Sequence, residues 1–84
     1  AASVLDTLGA AIEDAMNQVL AQMKQVSAAP QAQRTALIPQ LATTMQSVQT
    51  TLESLAGADN QRVAEAVTTM NGWLSLAIQG KPVE

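Results

Sequence analysis

The amino-acid sequence predicts an all-α fold, a small antiparallel three-helix bundle built as one domain over residues 1–84. Three observations carry that expectation. Ile38, Leu41, Met45, Val48, Leu52 and Leu55 recur at alternating steps of three and four, with Gln, Thr and Ser filling nearly every position between them. Flanking stretches repeat an apolar period of the same kind. Pro30, Gly57, Gly80 and Pro82 fall between or after the periodic segments, where helices stop.

The first helix is expected near residues 3 to 27. Ser3 can cap the free amides of its first turn, and Asp6, three residues on, completes a capping-box-like pair. Leu5, Ile12, Val19 and Val26 form one seam, with Gly9, Met16 and Met23 forming the second. Gly9 costs about 1 kcal/mol relative to Ala, a loss that a close neighbour could offset. Lys24 carries the charge that suits the C-terminal end of a helix dipole. Pro30 disfavours helical geometry in the residue before it, so a turn follows.

Residues 30 to 37 are helix-compatible, but the stripe does not continue backwards through Gln31 and Arg34, which are polar. Pro39 leaves two readings, a short separate helix at 30 to 37 or a kinked continuation. A break is the preferred reading, with Pro39 at the first position of a main helix over 39 to 56. Gly57 then closes that helix and Asp59 stands where a cap for the next one belongs. A short turn between helices forces them antiparallel. The third helix, 59 to 79, carries Val63, Val67, Met70, Leu74 and Ala77 inward, with Ala66, Trp73 and Ile78 widening its stripe. Residues 81 to 84 read as a frayed tail.

Composition narrows the function. A net charge of -3 with four basic residues argues against nucleic acid, whose phosphates need a row of Lys and Arg. The same scarcity removes the basic face of a helix that lies on an anionic membrane, and no apolar run approaches the roughly 18 to 20 residues that span a bilayer. Neither Cys nor His is present, so thiolate chemistry, the commonest general base and the commonest metal ligand are all missing. Glu13, Asp14 and Asp6 form the best acidic cluster, but neighbours on a helix point about 100° apart and read as a solvated face. Phosphate-cradling and nucleophile-elbow motifs are absent. No catalytic, cofactor or metal site is therefore expected.

Met16, Met23, Met45 and Met70 all fall on the seams, which reads as core filling, although a pocket for a small apolar ligand between loosely packed Met and Ala is the competing reading. Trp73 lies at the edge of the third stripe and Leu76, three residues on, points away from its centre. Leu20 likewise sits beside its seam, next to Asn17 and Lys24. Trp73, Leu76 and Leu20 are the candidate partner-binding residues, because Trp is enriched among residues that dominate binding energy. The plain alternative is an indole lying flat over the core and one ordinary exposed Leu.

In size and helix-turn-helix plan the chain resembles the needle subunits of bacterial type III secretion systems, short helical hairpins that polymerise. It departs from them in having Pro30 and Pro39 nine apart rather than a Pro-x-x-Pro turn, and no Tyr. The resemblance covers architecture alone and carries over no residue. The expected function is a non-enzymatic protein–protein interaction module, an adaptor, assembly factor or chaperone-like subunit. A self-assembling structural or secretion-filament subunit and a carrier of a small apolar ligand are the alternatives. The Ala-Ala start reads as a processed mature end or the boundary of a truncated chain, and the low charge leans towards an exported bacterial protein, periplasmic or extracellular.

Overall fold

In the computed structural model, which describes residues 4–82 with side chains from Thr7 onward, three helices follow one another. They are α1 (Val4–Ala28), α2 (Gln31–Ala56) and α3 (Gln61–Gln79), each packed against both others. This is the three-helix bundle expected. The proposed cap at Ser3 and the side chains of Leu5 and Asp6 lie outside the described residues.

The main correction concerns α2, which begins at Gln31 and runs unbroken through Pro39. Pro30 is the residue that starts it. With φ fixed near −58° and ψ at 153°, Pro30 stands just outside the helix and its carbonyl accepts from the amides of Gln33 and Arg34, both at 2.9 Å. Pro39 removes the amide that would bond the Thr35 carbonyl. Thr35 and Pro39 are both exposed, so that carbonyl can turn to water, while Leu37 and Ile38 keep the segment packed against the core.

The interior is wholly apolar among the described residues: no polar or charged side chain is buried. Val19, Met23 and Val26 of α1 meet Leu41, Met45, Val48 and Leu52 of α2 and Val63, Ala66, Met70 and Ala77 of α3. Met23, Met45 and Met70 are buried and Met16 packs on the rim, so methionine fills the core as its seam positions implied. The N-terminal half of α1 is rotated from the expected face. Leu8 and Ala15 are the buried residues there, and Ile12 and Met16 are half-buried. Gly9 accommodates the Arg62 guanidinium, which a Cβ would meet at 2.9 Å. Leu55 and Ile78, placed on the buried stripes by periodicity, are instead 52% and 53% exposed. Each stands within a turn of its helix's end and to one side of the buried positions, Leu55 three residues after Leu52 and Ile78 one after Ala77.

The turns are closed by specific hydrogen bonds. Gly57, at φ 96°, donates its amide to the Glu53 carbonyl at 2.7 Å. The cap of α3 is Asn60 rather than Asp59: its side chain accepts from the amides of Arg62 (2.9 Å) and Val63 (3.2 Å). At the far end Gly80 adopts the left-handed conformation, and the Lys81 amide reaches the Leu76 carbonyl at 2.9 Å. Lys81 is not frayed, since its carbonyl also accepts from the Ser27 hydroxyl at 3.1 Å. No basic residue lies in the last turn of α1, so Lys24 stands too far back to serve as expected. Arg34 takes that place from the next helix, donating to the Ala29 carbonyl at 3.1 Å and lying against Gly80. Its cation thus sits where α1 and α3 both present their negative dipole ends.

Candidate functional site

The three helices leave grooves between them, and the register of each pair decides what lines it. α1 and α3 run parallel. Their register is marked at one end by Ile12 and Met16 across from Arg62, Glu65, Ala66 and Thr69, and at the other by the bond from Ser27 to Lys81. α1 and α2 run antiparallel, bringing Ala11, Asp14, Ala15 and Gln18 beside Ser47, Val48, Thr51 and Leu52.

Helical spacing then places the sequence candidates. Leu20 follows Met16 by one turn, while Trp73 and Leu76 follow Thr69 by four and seven. All three therefore extend the α1/α3 groove, and the Ser27–Lys81 offset sets Leu20 level with Leu74, next to Trp73. Leu20, Trp73 and Leu76 are each half-buried and packed against the core. Leu76 does not stand free as expected, because α1 covers the flank of α3 on which it lies. The strip of partly exposed large side chains along this groove is Ile12, Met16 and Leu20 from α1 and Trp73 and Leu76 from α3. Ile12 and Met16 were missed as surface residues because periodicity assigns them to the seam.

The groove is not uniform along its length. Its lower half is a hollow of about 260 Å³ lined by Ile12, Met16, Arg62, Glu65, Ala66 and Thr69. Its upper half carries Trp73, the largest side chain in the protein. Glu13, Glu65 and the cation Arg62 stand exposed at the hollow, and Lys24 and Lys81 stand exposed beside the upper half. Glu65 accepts from Gln61 at 3.3 Å.

The α2 surface offers different chemistry. Thr35, Thr43 and Thr51 each turn their hydroxyls back to the carbonyl four residues earlier, at 3.3, 3.0 and 3.0 Å, so those donors are engaged within the helix. Gln49 donates to Asn71 at 3.4 Å across the α2/α3 groove. Among the described residues no three carboxylates gather as a metal site would require, and Glu13 and Asp14 are both exposed. None of the described helices is long and apolar enough to cross a membrane. Comparison with known proteins finds no matching family model, no similar curated protein and no similar solved structure.

Proposed function

We propose that this chain is a non-enzymatic protein–protein interaction module whose contact surface is the α1/α3 groove. The observation that carries this reading is the convergence of Leu20, Trp73 and Leu76 from two helices on one strip with Ile12 and Met16. Large apolar side chains that continue a groove lined by a few charges are what a protein interface uses at its centre. The carrier reading has less support, since its pocket would have to lie between core methionines and these are fully packed. The hollow available is a surface groove open to water.

The test is capture of partners from the native host by immobilised protein, with the Trp73→Ser variant as control. The expected result is a protein retained by the unsubstituted chain and lost by the variant, with far-UV circular dichroism unchanged between the two. Retention of the same proteins by both would place the surface elsewhere.

A further inference from the structure

Three of the chain's four basic residues, Lys24, Arg34 and Lys81, come from three different segments and meet at the upper end of the α1/α3 groove. Gly80 lies one turn beyond Leu76 on the same flank of α3. The Arg34 guanidinium rests on it, its nearest atoms 2.7, 2.9 and 3.2 Å from where a Cβ would stand. Lys81 is held here by the bond its carbonyl accepts from Ser27, and Lys24 lies one turn before Ser27 and one turn after Leu20. The carboxylates among the described residues, Glu13, Asp14, Glu53, Asp59 and Glu65, all belong to the lower half of the bundle. The side chains of Asp6 and Glu84 lie outside the described residues. The upper end of the groove is therefore cationic, and it continues the apolar strip of Leu20, Trp73 and Leu76.

Resting on the interaction-module reading, we infer that the occupant of the upper groove is an acidic amphipathic segment of a partner protein. Its apolar side chains lie on Leu20, Trp73 and Leu76, and its carboxylates reach Lys24, Arg34 and Lys81. Capping the Ala29 carbonyl takes one N–H of the Arg34 guanidinium, a fork that carries several more and matches the two oxygens of a carboxylate. Lys24 and Lys81 are exposed and have no carboxylate partner among the described residues. The seven residues from Trp73 to Gly80 span about 10 Å of helix. The partner then carries its carboxylates about two helical turns beyond its apolar anchor. Acid belongs at that end of the segment only, because the lower groove presents Glu13 and Glu65 with the single cation Arg62. The same confinement disfavours a nucleic acid or an anionic lipid sheet, which needs cations spread along a face.

Two synthetic helical peptides serve as the probe. Both carry Leu at three positions of one face, and they differ only in having Glu or Lys on the turn about 10 Å beyond. The emission of Trp73, the one indole in the chain, reports occupancy. The Glu peptide should shift that emission to the blue and bind at least about tenfold more tightly than the Lys peptide, a preference that shrinks as salt rises. The double variant Lys24→Glu with Lys81→Glu alters exposed residues, so it should keep its helical circular dichroism and reverse the preference. Equal affinity for the two peptides, no binding of the Glu peptide up to about 1 mM, or an unchanged preference in the double variant overturns the inference. An emission that shifts with protein concentration alone overturns it in favour of a second copy. A shift with phosphatidylglycerol vesicles and none with the Glu peptide overturns it in favour of a lipid surface. If Trp73→Ser loses the captured host proteins while the double variant retains them, the acidic partner fails and the interaction reading survives. If Trp73→Ser retains them too, the interaction reading itself fails at this groove.

Discussion

The groove between α1 and α3 and the groove between α1 and α2 share a helix and differ in almost everything they show to water. Ala15, Val48 and Leu52 form the apolar floor of the α1/α2 groove, and its rim is Asp14, Gln18, Ser47 and Thr51, all exposed. The α1/α3 groove also closes over apolar residues, but much of its rim is apolar too, with Ile12, Met16, Leu20, Trp73 and Leu76 only half covered. The contrast shows that floor and rim are set by separate positions on the same helix. Folding demands the floor in full, whereas the apolar rim residues pack against the core only in part.

The comparison can be broken at its floor or sharpened at its rims. The largest effect is expected for Leu52→Asp, which puts a charge at a position only 1% exposed with no partner. A domain this small has little stability in reserve, so the variant should lose its helical circular dichroism. A folded variant would mean that the floor of the α1/α2 groove is not core. Met70→Ala, on the α3 side, should cost about 2–5 kcal/mol in urea denaturation, because the site is fully buried.

Smaller effects separate the rims. Asn60→Ala removes the cap of the helix that forms one wall of the α1/α3 groove and should cost about 1 kcal/mol, whereas Asp59→Ala should be nearly neutral. Equal losses for the two would return the cap to Asp59. Leu76→Ser, half-buried on the apolar rim, should lower monomer stability by about 1 kcal/mol. Thr51→Ala on the polar rim should stay within about 0.5 kcal/mol. Identical unfolding midpoints for those two would erase the energetic distinction between the grooves.

The floor was more legible in the sequence than the rim, for a geometric reason. Met45, Val48 and Leu52 lie close together on α2, and any helical period fitted there finds them. On α1 a strict heptad read from Val26 and Val19 backwards drifts by about 20° per repeat on a straight helix. By the first turns it points to Gly9 and Ile12, while the buried residue is Leu8. Spacings of eleven, Leu8 to Val19 and Ala15 to Val26, keep the true face and could have been seen. The ends were harder to read. Leu55 and Ile78 widen their stripes by period and are exposed at the margins of α2 and α3. Asn60 and Asp59 are both good caps by type, and only the turn geometry chooses between them. As for the rim, Trp73, Leu76 and Leu20 were singled out one by one. Their meeting in a single groove depends on the parallel register of α1 and α3, and that register emerges only from tertiary packing.

The unbroken passage of α2 through Pro39 has a consequence for how the molecule opens. A rung is missing from the backbone ladder at residue 39, so the turns from 31 to 38 are fastened to the remainder of α2 less firmly than any later stretch of the helix. Their other fastenings are the partial packing of Leu37 and Ile38 and the bond from Arg34 to the Ala29 carbonyl. In native-state hydrogen exchange the amides of 35–38 should trade with solvent through a partial unfolding that leaves Leu41 to Leu52 in place, and Arg34→Ala should speed that trade while sparing the amides around Leu52. The first domain segment to unzip is then the one beside the 28–31 turn, and the last is the seam that contains Leu52.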